Sequence, residues 1–318
     1  MKVAIKSLLK ILDADLHKGD FDFFVCSIKT SVQDNSDSIA FIDDKNITKE
    51  SIKFKAKSCI TSSTFVDDLD HFQNILVSKN PRLSFARLTG LFSSNLSKKV
   101  DIKVAQNSFV DSGAELGKNV CIGNYCTIEK NVSIGDNTTI GHNVTIYSGS
   151  RIGSNVSISS GVIIGSQGFG FARDDNYWVH IHHLGGVIIG DYSHIGSNTC
   201  IDRGTLDNTV IGNNVIIDNS VHIAHNVNIG HNTAIAAKVG VAGSTSIGKR
   251  CQIGGMVGIF GHLKICDNVV VTPKSNVYRS INSPGHYTSL FPILPHSLWK
   301  KVSILLAKLD KIRNLLKK

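Results

Sequence analysis

The chain has 318 residues, of which 42% are hydrophobic, 19% charged and 7% aromatic, with a formal net charge of +9. That balance belongs to a folded chain rather than a disordered one, and 28 glycines against 5 prolines exclude collagen-like and proline-rich classes. No apolar run approaches the roughly 20 residues needed to span a bilayer. The positive charge favours an acidic partner but does not choose among nucleic acid, anionic lipid and protein.

The opening stretch, MKVAIKSLLKILDADLHKGD, is interrupted by Lys6, Lys10 and Asp13. It lacks the continuous apolar segment of a signal peptide, so a cytoplasmic location is expected. Residues 1–98 mix a helix-like stretch, Ser7 to Leu16, with a strand-like one, Ser38 to Ile42, and read as a small α/β domain. The seven cysteines, Cys26, Cys59, Cys121, Cys126, Cys200, Cys251 and Cys266, form no CxxC and are odd in number. Free thiols are expected.

From Val104 onward an aliphatic residue returns every six positions: Val110, Leu116, Ile122 and so on to Ile164. The series pauses over Gln167 to Gly186, resumes at Ile189, Ile195 and Ile201, shifts by four residues within TLDNTV, and continues from Ile211 to Val277. A period of six fits neither a helix, at 3.6, nor a flat strand, at 2. It fits short strands joined by corners, three hexads to a triangular coil, each coil stacked on the next at about 4.8 Å. A left-handed parallel β-helix is therefore expected over residues 99–281, with 167–186 as a loop ejected from one corner. Over 282–318, Pro284, Pro292 and Pro295 end the repeat. Ser297 to Lys318 reads as an amphipathic helix, with Leu298, Val302, Leu305 and Leu309 on one face and lysines on the other.

Among thirteen histidines, His225 stands out. It lies two positions after the inward Ile223, at a corner, and Gly243 follows one coil later. A base beside an exposed backbone N–H is the pairing acyl transfer needs. Asp218, seven residues earlier, is placed to orient the ring from a neighbouring corner. His262, two coils and one residue beyond His225, falls on the same edge. A metal site is not expected: His225 and His231 are six residues apart and so lie on different sides of the prism. The glycines follow the hexads, and no phosphate-binding glycine loop is present.

QGFGFA (167–172), IDRGTLDNTVIG (201–212), IIDNSVHIAHNVNIG (216–230), VAGSTSIG (241–248), IGG (253–255) and GHLKICD (261–267) together resemble the UDP-3-O-acylglucosamine N-acyltransferases of lipid A biosynthesis. SIAFID (38–43) and NPRLSFARL (80–88) resemble that family's uridine-nucleotide domain. The resemblance implies a homotrimer with sites between adjacent prisms. The reaction it implies transfers a 3-hydroxyacyl chain from acyl carrier protein to the 2-amino group of UDP-3-O-(3-hydroxyacyl)glucosamine. It further implies that His225 is the general base, that Asp218 orients it and that the Gly243 N–H holds the oxyanion. His262 would assist binding, and Phe41 would stack on uracil. Beyond the phosphopantetheine thioester on the carrier protein, no cofactor is implied. The sequence departs from the family after Phe41, where DDKNI (43–47) carries no second aromatic to close on uracil.

Two other classes fit the repeat: another sugar-nucleotide acyltransferase, using an O-acyl acceptor or acetyl-CoA, and a zinc β-helix of the γ-carbonic-anhydrase kind. With Trp299 as its single aromatic ring, the basic C-terminal helix offers no stacking platform for nucleic acid.

Overall fold

The computed structural model describes residues 2–28, 37–50, 53–93, 104–289, 293–306 and 308–309. They divide into two compact units, Met1–Asp101 and Ile102–Lys318.

The first unit runs β1 (Val3–Ala4), α1 (Ile5–Leu12), β2 (Ala14–Lys18), β3 (Phe24–Val25), β4 (Ser27–Ile28), β5 (Ser38–Phe41), α2 (Lys45–Glu50), β6 (Ser58–Thr61), β7 (Asn74–Ser78) and α3 (Pro81–Ser93). A five-stranded sheet has the order β2-β7-β6-β5-β4, antiparallel between β2 and β7 and parallel elsewhere. Its parallel strands β5, β6 and β7 are buried on both faces, as the interior of a parallel sheet requires. Ile39, Ile60 and Leu76 pack with Ile5, Leu8 and Leu12 of α1, while Ala40, Cys59 and Ile75 pack with Leu69 and Phe72.

The helix expected over Ser7 to Leu16 is shorter and earlier. Asp13 takes the left-handed conformation at φ 51° and its N–H closes on the Leu9 carbonyl, a C-terminal stop. From Ala14 the burial alternates, and the chain continues as β2.

The second unit is a parallel β-solenoid. Three sheets of nine, nine and eight strands form its sides. Most strands are two residues long and pair with the strand one coil on, as in Cys121↔Thr139 and Ile122↔Ile140. The second residue of each pair points inward, and from Ile122 to Val277 this column is buried. Val104 and Leu116, in the first coil, remain 37% exposed, since among the described residues no further coil lies beneath them to cover the column. The corners turn through left-handed residues, most often asparagine (Asn119, Asn131, Asn137, Asn143) with φ between 55° and 60°. Asparagine tolerates that region better than other side chains bearing a Cβ.

Both interruptions of the repeat appear in the register. The four extra residues stretch one coil, pairing His194 with Ile216. The ejected segment is more than a loop, because Phe171–Asp174 and Tyr177–His180 pair as an antiparallel hairpin. The solenoid also runs past the expected end at 281. Gly285–Tyr287 adds a strand beside Val269–Val271, although its pairing offset is two residues short of a coil and Pro284 hides it from a six-residue count. Beyond it α4 spans His296–Leu306 and buries none of its residues. The expected continuation over 310–318 lies outside the described residues.

All seven cysteines are free thiols; Cys59, Cys126 and Cys251 are buried, the other four partly so. Among the described residues no helix is long and apolar enough to cross a membrane.

Candidate active site

Two grooves mark the solenoid. The larger, about 660 Å³, runs over the sheet that carries Ile216, Ala234, Gln252 and Val270, with Asp218 at its edge. The smaller, about 480 Å³, runs over the next sheet, between His222, Gly240 and Gly258, and is bounded by His225, Gly243 and Phe169. We assign the chemistry to the smaller groove, because it alone sets a base against a backbone donor.

His225 and Gly243 meet as the 18-residue spacing predicts. The register His222↔Gly240 and Ile223↔Val241 continues to place residue 225 under residue 243. The imidazole lies against the glycine: a Cβ built on Gly243 would sit 2.6 Å from His225 Nε2. Among the described residues nothing accepts a hydrogen bond from the Gly243 N–H, although its two neighbours, Ala242 and Ser244, donate to Ile259 and His225 carbonyls.

Asn226 sets the tautomer. Its Nδ2 donates to the Asp207 carbonyl, and its Oδ1 accepts from the Thr205 N–H at 3.0 Å. The same Oδ1 is 3.0 Å from His225 Nδ1. An oxygen there needs a donor opposite, so Nδ1 carries the proton and Nε2, the atom at Gly243, keeps its lone pair. Sequence reasoning missed Asn226, although it stands inside the IAHNV motif.

Asp218 does not orient His225 within the chain. It is exposed and lies at the corner after Ile216–Ile217, a strand of a different sheet from His222–Ile223. Its Oδ1 accepts from the Asn219 N–H at 2.7 Å. No hydrogen bond or ion pair joins it to His225 among the described residues. The carboxylate on the His225 side is Asp202 of the IDRG motif. Asp202 is buried, accepts from Ser166 Oγ at 2.8 Å and lies 3.5 Å from His222 Nε2. Burial raises its carboxyl above the usual range, against the opposing pull of the Ser166 hydrogen bond and of His222, His225 and His183. Arg203 braces the root of the ejected hairpin by donating to the Gly165 and Ser148 carbonyls.

His262 stands one position off the His225–Gly243 column. It occupies the left-handed corner at φ 60°, in line with Asn226 and Ser244. Its ring is exposed, and its N–H donates to the Gly243 carbonyl at 3.0 Å, holding that peptide from the far side. His231 lies at another corner, where Nδ1 accepts from the Asn213 N–H, a structural task.

His183, from the ejected segment, packs edge-on against His225 with ring centroids 5.0 Å apart. Its Nδ1 meets the Ile181 carbonyl at 2.9 Å, and burial, joined by the neighbouring His225 and His180, lowers its pKa. A buried ring there gives the base a fixed wall. In the first unit, Phe41 is half-buried and one face of its ring stacks on Phe85 at 4.5 Å. Asp44 faces α2, where Oδ1 accepts from the Asn46 N–H, and Asp43 pairs with Arg82.

Residues 131–166 match the bacterial transferase hexapeptide family, described by six repeats. The solenoid is built of the hexapeptide repeats that this family model describes. Solved acyltransferase structures resemble the chain, three of them as follows. One is the UDP-N-acetylglucosamine acyltransferase from Campylobacter jejuni, at 27% identity and TM-score 0.50, covering 56% of this chain and 68% of that one. The second is LpxA from Acinetobacter baumannii, at 26% and 0.53, covering 59% and 71%. The third is the UDP-N-acetylglucosamine acyltransferase LpxA from Bacteroides fragilis, at 27% and 0.51, covering 56% and 68%.

Proposed function

We propose that the chain is an N-acyltransferase. It moves a 3-hydroxyacyl group from the phosphopantetheine thioester of acyl carrier protein to the 2-amino group of UDP-3-O-(3-hydroxyacyl)glucosamine. The observation that carries this reading is the contact of His225 Nε2 with Gly243, whose N–H has no partner among the described residues. The similar acyltransferases of known structure and the IDRG and IAHNV motifs support the substrate class.

In this reading the sugar amine attacks the thioester carbon while His225 Nε2 takes its proton. Such general-base help is typically worth about 10²–10⁴-fold. The carbonyl oxygen, now an anion, accepts from the Gly243 N–H, worth about 10²–10³-fold. Collapse of the adduct expels the thiolate, which takes the proton back from the imidazolium. Bonds and protons balance with no covalent enzyme intermediate. Residues 1–98 bind the uridine, with Phe41 against uracil; Phe85 stacks behind Phe41 and does not supply a second aromatic for the far face of uracil.

A homotrimer belongs to the same reading. The stripe Leu298, Trp299, Leu305 of α4 is 45–55% exposed in the single chain and gains a partner if three such helices meet. An orienting contact between Asp218 and His225 then has to cross a subunit interface, since the two sit on different sheets. Light scattering at micromolar concentration tests this; a monomer mass refutes it.

The decisive assay offers a labelled 3-hydroxyacyl carrier protein two acceptors, UDP-3-O-acylglucosamine and UDP-N-acetylglucosamine. Label entering the first alone supports N-transfer. Label entering the second alone favours the O-acyltransferase reading, to which the names of the similar structures point.

A further inference from the structure

The corners of the solenoid follow a rule that the candidate site breaks. Two positions after an inward aliphatic residue, the backbone N–H of many corners points along the axis toward the next coil. At nine such corners the side chain one coil on accepts from it: Asp136 from the Lys118 N–H, His142 from Asn124, Ser154 from Asp136, Ser160 from His142, Asp191 from Ser154, Asn213 from Asp191, Asn219 from Ser197, His231 from Asn213 and Asp267 from Lys249. In every case the residue before the donor is glycine.

That glycine is required by space. A Cβ at Gly117 would lie 2.4 Å from the capping Asp136 Oδ1, at Gly190 2.2 Å from Asn213 Oδ1, and at Gly248 2.5 Å from Asp267 Oδ1. The cap therefore sits where a preceding methyl would be. Two corners confirm it. Lys130 and Ser160 have a serine one coil on, Ser148 and Ser197, yet neither N–H is capped among the described residues. Glu129 and Ser159, rather than glycines, precede them.

At Gly243 both conditions fail, as they also do at His225, after Ala224 and under Gly243, and at Ala237, after Ala236 and under Gly255; what marks Gly243 is the His225 imidazole lying against it. The preceding residue is Ala242, with a methyl in the cap's place, and the residue one coil on is Gly261, which has no side chain to offer. The N–H stays half-exposed and unpartnered beside His225. We propose that Ala242 and Gly261 act as a pair of positioning residues that keep the Gly243 N–H uncapped, and so free to receive the oxyanion of the acyl-transfer reaction. This rests on the function proposed above. It gives a role to the sequence VAG over IFG at this corner, where the nine capped corners have glycine before the donor and an acceptor one coil on.

The test restores the structural corner. Ala242→Gly/Gly261→Asn recreates the pattern of Gly190 and Asn213 with a neutral cap; a Cβ at residue 261 meets the Gly243 carbonyl at 3.2 Å and the Ala242 Cβ at 3.8 Å, the latter removed in the double variant. The full-length native chain, both single variants and the double variant are compared by hydrogen exchange at the Gly243 amide and by the rate of amide-product formation. The native amide and both single variants should exchange freely, and the double variant at least tenfold more slowly. Turnover of the double variant should fall at least tenfold below the product of the two single effects, a coupling expected when one cap needs both changes. Should the asparagine pair not fold, Ala242→Gly/Gly261→Ser installs the hydroxyl cap seen at Ser154 and Ser160. A native amide already protected, or a double variant left unprotected, overturns the capping geometry. A protected amide with turnover no lower than the single variants predict overturns its link to catalysis. A native chain that forms no amide product overturns the function instead, while the exchange arm still decides the capping.

Discussion

Asn226 Oδ1 lies 3.0 Å from His225 Nδ1, and the rest of the Asn226 amide is committed to Thr205 and Asp207. A side-chain amide held at both ends thus takes the orienting part that a carboxylate plays in many histidine sites. It fixes the tautomer without adding charge. Asn226→Ala should lower turnover about tenfold or more with little change in KM, since the base is misaligned rather than removed. Asn226→Asp should move the acid limb of the kcat/KM profile to higher pH, because a carboxylate stabilises the imidazolium. A pH profile unmoved in Asn226→Asp would show that residue 226 does not face the base.

Gly243→Ala tests the other side of the pair. The added methyl would lie 2.6 Å from Nε2, so the ring has to leave the donor. The φ of Gly243 is not in the left-handed region, so alanine brings no backbone strain. Turnover should fall by about 10²-fold, while the melting temperature changes by a few degrees at most. Wild-type turnover in this variant, measured with saturating substrates, would remove Gly243 from the mechanism.

Asp202 makes a prediction about stability. Its carboxyl is raised on folding, chiefly by burial. The folded chain therefore holds this proton more tightly than the unfolded one, whose value is about 3.9. The contribution is fully present below that value and is lost as pH rises through the raised pKa. The melting temperature of the native chain, relative to Asp202→Asn, should accordingly fall as pH goes from about 4 to 7. A relative rise over that interval would mean that the His222 contact outweighs burial.

Docking of the acyl donor is open to a charge reversal. Arg279, Lys300, Lys301 and Lys308 are exposed; Lys311, Arg313, Lys317 and Lys318, expected in the same surface, lie outside the described residues. An acidic carrier protein would be drawn to such charge, and salt would weaken the attraction over about 8 Å. Lys300→Glu/Lys301→Glu should raise KM for the acyl donor several-fold and leave KM for the sugar nucleotide unchanged. Equal donor KM at low and high salt in both proteins would make these lysines plain surface charge.

Much of this architecture was legible because the solenoid is one-dimensional. Once Ile223 and Val241 are known to point inward, arithmetic alone sets His225 under Gly243. The same arithmetic finds the shift at TLDNTV and separates His231 from His225. It fails where contacts leave the column. Sequence distance puts Asp218 near His225, but a corner residue serves its own corner, and Ala237 one coil on offers no cap, so Asp218 caps Asn219 itself. The Phe41–Phe85 stack joins a strand to a helix 44 positions away in sequence, which no local pattern encodes. The hairpin at Phe171–His180 carries almost wholly exposed residues, so it shows no inward–outward alternation. The Gly285–Tyr287 strand has no inward aliphatic residue to mark it.

The most direct measurement is the mass of the product formed by the native chain and by His225→Ala from a 3-hydroxyacyl carrier protein and UDP-3-O-acylglucosamine. The account predicts one added acyl group, resistant to mild base as an amide is, for the native chain. It predicts at least about 10²-fold less for the variant, at unchanged oligomeric mass. Equal product from both proteins, or a base-labile ester product, would contradict it.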